Sequence, residues 1–175
     1  MHALIVGGYG VGKSFLIQKV LQELDLPVVG FETKKGPVAE DTAAGTPIYL
    51  HPAGQPRVQS EDNLVGRSAR KLLEVHPEVF DRFAPHLRQP VPEGHLVLLD
   101  ELGVMESSSP AFREAVLTLL DGDTPIIAAV KHKDTPFLNA VRSHPNCRCF
   151  QITEENRDVL FGEVLAFMKD QLSAP

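Results

Sequence analysis

The sequence predicts a three-layer α/β fold with a mostly parallel central sheet and a small antiparallel hairpin insertion. Short apolar runs alternate along the chain with stretches of helical periodicity, which is the order of elements that builds a parallel sheet covered by helices. The runs at 96–99 and 125–130 contain no polar residue, as is typical of strands that are buried on both faces. A chain of 175 residues suits one domain, so we expect a single domain over 1–175.

In the first half, an apolar run at 3–6 predicts a strand, and a glycine-rich loop follows it. Apolar residues then recur at the spacing of one helix face over 13–24, namely at Ile17, Val20, Leu21 and Leu24. Pro27 ends this helix, and 27–31 is expected to be the second strand.

The second half is expected to hold a strand at 96–99, a helix at 112–120 beginning near Pro110, a strand at 125–130, a helix at 137–142, a strand at 147–152 and a last helix. Thr153 is the predicted N-cap of the last helix, since Glu154 and Glu155 would complement the helix dipole.

Between these halves, glycine and proline interrupt residues 36–66 repeatedly, which favours an antiparallel hairpin insertion with strands at 38–40 and 46–50. Residues 68–87 are expected to be helical, with interruptions at Pro77 and Pro85.

Composition excludes several classes of function. The chain has 17 Lys and Arg against 23 Asp and Glu, a net charge of −6, so it has no overall positive field for non-specific nucleic-acid binding. No apolar run approaches the roughly 20 residues that a membrane span needs. The only cysteines, Cys147 and Cys149, would point to opposite faces of a strand and cannot easily form a disulfide. We therefore expect a cytoplasmic monomer.

The glycine-rich loop carries the most specific motif. Its residues match G-x-x-x-x-G-K-[ST], the P-loop, as Gly7, Gly8, Tyr9, Gly10, Val11, Gly12, Lys13 and Ser14. In such a loop, backbone N–H groups and the following helix N-terminus bind phosphates, the lysine reaches the β- and γ-phosphates, and the hydroxyl ligates Mg²⁺. The motif predicts a P-loop NTPase fold that binds a nucleoside triphosphate with Mg²⁺. Phe15, next in sequence, is expected to contact the nucleotide too.

Two carboxylates follow the apolar run at 96–99. Asp100 stands where a P-loop protein needs a carboxylate to hold Mg²⁺ together with Ser14. Glu101 comes next and could orient or deprotonate the attacking water. We therefore predict that Lys13 and Glu101 are the catalytic residues.

Asn156 and Arg157 follow the last predicted strand, at the sheet edge where open α/β sheets bind ligands. They could contact the base, the ribose or a phosphate of the nucleotide. Alternatively, they could form local hydrogen bonds in the first turn of the last helix.

Three segments together resemble one known family: the P-loop with its helix, residues 99–106 and residues 150–158. The second, LDELGVME, resembles the motif Asp-Glu-Ile-Gly-x-Met-Glu, and the third, FQITEENRD, resembles Val-Thr-x-Glu-Asn-Arg. This pattern is similar to that of the THEP1-type nucleoside-triphosphatases of bacteria, archaea and animals. The resemblance implies a small Mg²⁺-dependent enzyme that slowly hydrolyses ATP, GTP and other nucleoside triphosphates. Because no guanine-reading Asn-Lys-x-Asp signature is present, we expect CTP and UTP to be substrates as well.

One segment departs from the family pattern. Family members usually continue Gly-Phe-x-Thr with an acidic residue and an arginine, whereas Gly30-Phe31-Glu32-Thr33 is followed here by Lys34 and Lys35. Either lysine could replace the arginine as a point charge, or the pair could be solvated in a loop.

Two other functions remain open at this level. A small nucleotide or metabolite kinase would share the P-loop and would need an arginine-rich lid, for which 36–90 supplies Arg57, Arg67, Arg70, Arg82 and Arg88. A nucleotide-dependent switch protein would hydrolyse slowly unless a partner stimulated it. The adjacent Asp100 and Glu101 favour hydrolysis, because water needs an activating group.

Overall fold

The computed structural model describes residues 1–37 and 44–174. In this part of the chain the strands are β1 (His2–Gly7), β2 (Val28–Lys35), β3 (Thr46–Pro52), β4 (Leu64–Ser68), β5 (Leu72–Val75), β6 (Leu96–Leu102), β7 (Ile126–Lys131) and β8 (Cys147–Gln151). The α-helices are α1 (Lys13–Leu24), α2 (Pro77–Leu87), α3 (Pro110–Asp121), α4 (Pro136–Arg142) and α5 (Arg157–Ser173). Short 3₁₀ turns occupy Glu61–Asn63 and Glu106–Ser108.

These strands form one sheet in the order β5-β4-β3-β2-β6-β7-β1-β8. In this order, the neighbours in the run β2-β6-β7-β1-β8 pair in parallel. The neighbours in the run β5-β4-β3-β2 pair antiparallel. The predicted fold class, a mostly parallel α/β sheet with a small antiparallel part, is confirmed. β7 separates β1 from β6, so the loops that follow these three strands lie side by side at one sheet edge.

Helices cover both faces of the sheet. α2, α3 and α4 pack on one face and α1 and α5 on the other, and each face has its own hydrophobic core. Strand β6 contributes side chains to both cores. Val97 and Leu99 lie in the core beneath α2, α3 and α4, and Leu96 and Leu98 lie in the core beneath α1 and α5. This explains why the run at 96–99 carries no polar residue.

The starts of α3 and α4 agree with the cap residues in the sequence, whereas the start of α5 does not. The side chains of Ser109 and Thr135 cap α3 and α4 by accepting backbone N–H bonds from Phe112 and Leu138. The prediction that Thr153 is the N-cap of α5 is wrong, because Asn156 occupies that position. Instead, the Thr153 hydroxyl accepts the backbone N–H of Asn156, which closes a turn before α5 begins at Arg157.

The structure corrects the prediction for residues 68–87. The segment before Pro77 is not helical, because β5 pairs there with β4. Pro77 opens α2 at its first turn, where a missing N–H costs nothing, rather than interrupting a longer helix. Pro85 lies inside α2 in its last turn, where the helix is already ending.

The antiparallel part holds two strands that were not predicted, β4 and β5, and it extends beyond the predicted insertion at 36–66. The predicted strand at 46–50 corresponds to β3, and the predicted strand at 38–40 lies outside the described residues. Among the described helices, none combines the length and the apolar character needed to cross a bilayer.

Candidate functional site

The P-loop connects the end of β1 to the start of α1 at the carboxyl edge of the sheet. Gly10 and Gly12 adopt φ angles of +73° and +98°, a left-handed region that residues with a side chain rarely occupy. Gly12 is also the N-cap of α1, where no side chain supplies a capping hydrogen bond. The loop therefore turns its backbone at glycines and leaves the N-terminal amides of α1 free to bind an anion.

The Lys13 side chain folds back across this loop. Its Nζ donates hydrogen bonds to the carbonyl oxygens of Gly7 at 3.0 Å and Gly8 at 2.6 Å. Only 5% of the side chain is exposed. The ammonium group is thus held at the mouth of the loop, where P-loop lysines meet the β- and γ-phosphates.

Ser14 and Asp100 meet beside the loop. The Ser14 hydroxyl donates to Oδ1 of Asp100 at 2.8 Å, and the Asp100 side chain is almost fully buried. A hydroxyl and a carboxylate are hard oxygen donors that fit Mg²⁺, which usually takes one or two protein ligands and completes its shell with phosphate and water. In the described residues no cluster of three or more His, Cys, Asp or Glu could hold a metal alone. A metal bound here would therefore depend on the nucleotide for its remaining ligands.

Lys34 occupies the other side of Asp100. Its Nζ lies 2.7 Å from Oδ2 of Asp100, so the side chain is not a solvated loop charge. Lys35 turns away and lies against Tyr9, with Nζ 3.3 Å from the tyrosine hydroxyl and 4.9 Å from the ring centroid. Of the two lysines, only Lys34 contacts the carboxylate that is predicted to hold Mg²⁺.

Glu101 lies between two ammonium groups. Its Oε2 is 3.4 Å from Nζ of Lys13 and its Oε1 is 3.3 Å from Nζ of Lys131. Its backbone N–H donates to the Thr33 hydroxyl at 3.3 Å. The carboxylate is about one-quarter exposed, at 24%. This arrangement holds a charged, water-accessible carboxylate next to the lysine that marks the γ-phosphate end of the P-loop.

Glu106 lies behind Glu101 and is 2% exposed. Its Oε2 accepts the backbone N–H of Gly103 at 2.9 Å, and its Oε1 accepts the Thr33 hydroxyl at 3.2 Å. Burial raises the pKa of this carboxyl to about 7, and the nearby Lys131 ammonium only partly opposes that rise. Thr33 therefore links a buried acid to the backbone of Glu101.

Asn156 and Arg157 have different surroundings. The Asn156 side chain accepts the N–H of Thr153 and donates to the carbonyl of Gln151, both at 2.8 Å, so it stabilises the local turn. Arg157 reaches Gly12, where a methyl group placed on the glycine would lie 3.3 Å from the arginine Cδ. A pocket of about 170 Å³ lies here, with Phe15 and Arg157 among the residues that line it. Arg157 and Phe15 thus lie together beside the P-loop, and Asn156 does not line that pocket.

A sequence profile of the family described as NTPase matches residues 2–165. The chain belongs to the NTPase family. This NTPase is 30% identical over 174 residues to the nucleoside-triphosphatase THEP1 of Thermotoga maritima, an alignment that covers 97% of this chain and 96% of that one. It is 31% identical to the mouse protein named cancer-related nucleoside-triphosphatase homolog, with 96% of each chain covered. The expected resemblance to THEP1-type nucleoside-triphosphatases is confirmed.

Solved structures agree with the fold. The crystal structure of THEP1 from Aquifex aeolicus superposes with a TM-score of 0.70 at 24% identity, covering 97% of this NTPase and 99% of that chain. The solution structure of a human cancer-related nucleoside triphosphatase gives a TM-score of 0.68 at 23% identity and covers 99% of both chains. At this identity the two structures support the architecture of the sheet and helices.

The structure brings together the predicted P-loop residues, Asp100 and Glu101. Sequence reasoning missed the part played by Lys131 and Glu106. Lys131 ends β7, the strand between β1 and β6, so its position after a buried run at the ligand edge was the available signal. Glu106 is the last residue of the family-like segment at 99–106, which was the available signal, but only the fold reveals that its carboxyl is buried.

Proposed function

We propose that this NTPase is a Mg²⁺-dependent nucleoside-triphosphatase that cleaves the γ-phosphate of ATP, GTP, CTP and UTP with slow turnover. The single observation that carries the proposal is Glu101, a carboxylate held between Lys13 and Lys131 beside the Ser14–Asp100 pair. The names of the relatives from Thermotoga maritima and mouse, both nucleoside-triphosphatases, support the same reaction class.

The phosphate groups would be bound by the P-loop amides and the N-terminus of α1. Lys13 would exchange its present contacts with the Gly7 and Gly8 carbonyls for contacts with the β- and γ-phosphates. Ser14 and Asp100 would hold Mg²⁺, which when bound neutralises charge on the phosphate oxygens. The Lys34 ammonium, 2.7 Å from the other oxygen of Asp100, would compete with Mg²⁺ for this carboxylate.

Glu101 would orient the attacking water and accept its proton. The water oxygen attacks the γ-phosphorus, the bond from that phosphorus to the β–γ bridging oxygen breaks, and the nucleoside diphosphate leaves with the electron pair. The ammonium groups of Lys13 and Lys131 hold the Glu101 carboxylate in position to act as a base.

The charged partners of this centre support slow turnover. In residues 1–37 and 44–174, the basic side chains that contact Asp100 and Glu101 are Lys34, Lys13 and Lys131, and no arginine contacts either carboxylate. An arginine directed at the γ-phosphate accelerates related hydrolases by about 10³- to 10⁵-fold. A lysine is a point charge without the guanidinium fork, so we expect a smaller stabilisation of the transition state.

Broad base tolerance follows from where the recognisable groups lie. The P-loop, Ser14 and Asp100 address phosphate and Mg²⁺, which all nucleoside triphosphates share. Beside the loop, Phe15 is 69% exposed and Arg157 lines the adjacent pocket. A ring face and a guanidinium plane can stack on any base, and such contacts give only about 1–3 kcal/mol per base.

The test is phosphate release from the pure protein with each of four nucleoside triphosphates, at equal Mg²⁺ and without an acceptor. We expect release with all four, with kcat/KM values within about tenfold of one another, because no buried polar group in the described residues of the pocket rejects one base. EDTA should abolish release. Preference for one base by about a hundredfold, or release that is unaffected by EDTA, would contradict the proposal.

A further inference from the structure

A second cavity lies next to the P-loop, on the side away from Phe15 and Arg157. Its volume is about 800 Å³, within the range of ligand pockets in proteins. Three segments form most of it: the start of the P-loop at 7–9, residues 68–72 around the turn between β4 and β5, and the end of β7 with the following residues at 131–133. We call this cavity the cationic groove. Gly7, Gly8 and Tyr9 border both the groove and the P-loop, whereas Lys13, Ser14, Asp100 and Glu101 do not line the groove. The groove therefore adjoins the proposed triphosphate site but does not contain its catalytic and metal-binding side chains.

The charge of the cationic groove is one-sided. Five of the chain's 17 Lys and Arg residues line it, and no Asp or Glu is among the described residues that do so. The five are Lys35, Arg70, Lys71, Lys131 and Lys133. The chain as a whole carries a net charge of −6, so this concentration of positive charge is local. Such a field attracts anions into the groove.

Most of these charges have no carboxylate partner in the part of the chain that the structure describes. Within residues 1–37 and 44–174, Arg70, Lys71 and Lys133 take part in no ion pair, and Lys35 contacts the Tyr9 ring and hydroxyl instead of an acid. Lys131 is the exception, because it pairs with Glu101 at 3.3 Å. That pair makes the inner end of the groove continuous with the proposed water-activating carboxylate.

The remaining wall is apolar. Ile48, Val104 and Met105 contribute hydrophobic surface, and the Tyr9 ring is 83% exposed at the rim. A ligand that contacts both the basic and the apolar residues of the groove therefore combines a small group that carries more than one negative charge with an apolar or aromatic part. A phosphomonoester supplies nearly two charges and three acceptor oxygens for lysine and arginine donors.

We infer that the cationic groove is a second ligand site of this NTPase, which binds a small phosphomonoester with an apolar portion while the nucleoside triphosphate occupies the P-loop. The inference rests on the proposed function in one respect, namely that a nucleoside triphosphate occupies the P-loop. Because Lys131 touches both the groove and Glu101, a bound phosphate draws on the same ammonium group that holds the catalytic carboxylate. Occupancy of the groove should therefore change the rate of hydrolysis.

The test uses phenyl phosphate as the probe, titrated calorimetrically into full-length protein saturated with a non-hydrolysable Mg²⁺–ATP analogue. Saturation blocks the P-loop, so binding of the probe reports a second site. We expect a Kd of about 1 mM or tighter, and no binding of phenol, which has the ring without the phosphate. Raising the salt concentration should weaken the binding, because exposed charges attract the probe.

The variant is Arg70→Gln combined with Lys71→Gln. Both residues are exposed in the turn before β5, so the substitutions should leave folding intact. The matched control is Arg88→Gln combined with Lys169→Gln, which removes the same charge from exposed positions outside the groove. Binding should weaken by about tenfold or more in the first variant and by less than about twofold in the control. Basal phosphate release from MgATP should stay unchanged in both.

Three results would overturn the inference. They are no binding of phenyl phosphate to the saturated protein, equal weakening in the two double variants, and much tighter binding of a 5′-phosphorylated RNA strand, which would assign the groove to nucleic acid. Phosphate release measured without the probe separates the two proposals. Hydrolysis without groove binding leaves the proposed function standing, whereas groove binding without hydrolysis removes the proposed function alone.

Discussion

Replacing Glu106 with glutamine should change how the stability of this NTPase depends on pH. Glu106 is 2% exposed, and burial raises its pKa from 4.5 to about 7. The folded protein therefore holds the Glu106 proton more tightly than the unfolded chain. The contribution of protonated Glu106 to the free energy of unfolding is fully present below pH 4.5 and decreases as the pH rises to about 7. Over that window, the 2.5-unit difference between 4.5 and 7 corresponds to about 3 kcal/mol of unfolding free energy at 1.36 kcal/mol per unit.

The Glu106→Gln variant is neutral at every pH. Its amide oxygen can still accept the N–H of Gly103, and its amide nitrogen can donate to the Thr33 hydroxyl in place of the present bond. We expect the variant to match the wild type near pH 5 and to exceed its unfolding free energy at pH 8 by about 1–3 kcal/mol, because a buried carboxylate is no longer ionised.

Urea denaturation of both proteins at pH 5, 6.5 and 8 measures this difference, with Glu163→Gln as the control at an exposed position. The control should show no pH-dependent gain. A Glu106→Gln effect of the same size at pH 5 and pH 8 would refute the argument, because it would mean that burial does not shift the titration of Glu106 into this range.

Two further substitutions test the phosphate and metal contacts. Lys13→Ala removes an ammonium group held within 3.0 Å of the Gly7 and Gly8 carbonyls and should weaken MgATP binding by about 1.5–3 kcal/mol; unchanged affinity in calorimetry would exclude the P-loop assignment. Lys34→Gln removes the cation 2.7 Å from Asp100 and should lower the half-saturating Mg²⁺ concentration for phosphate release by about threefold or more, since two cations repel at one carboxylate. Lys35→Gln is the control, and a higher Mg²⁺ requirement in the Lys34 variant would contradict this account of the pair.

Much of the fold could be predicted because its determinants are local. The run at 96–99 lacks polar residues because its side chains enter two cores, and this property is visible in the sequence alone. The prediction for the segment before Pro77 was wrong because its apolar residues fit a short strand as well as a helix. Pairing of β5 with β4 decided between these structures, and that pairing is a tertiary interaction.

The candidate site also has a part that local sequence predicts and a part that depends on tertiary contacts. The P-loop is contiguous in sequence, so its spacing predicts its chemistry. The contact of Lys34 with Asp100 joins residues 66 positions apart, and no sequence spacing indicates it. The Lys131–Glu101 pair depends on the insertion of β7 between β1 and β6. Such partners become visible only when the order of strands in the sheet is known.

The central claim is that Glu101 activates water for hydrolysis of the γ-phosphate. Its most direct test is a comparison of MgATP binding and phosphate release in the wild type and in Glu101→Gln, with Glu163→Gln as the exposed control. Glutamine keeps the shape of the side chain but cannot accept the proton, so kcat should fall by about 10²-fold or more while MgATP still binds. A kcat that stays within about a factor of two of the wild-type value would show that another group handles the water, and it would contradict the account.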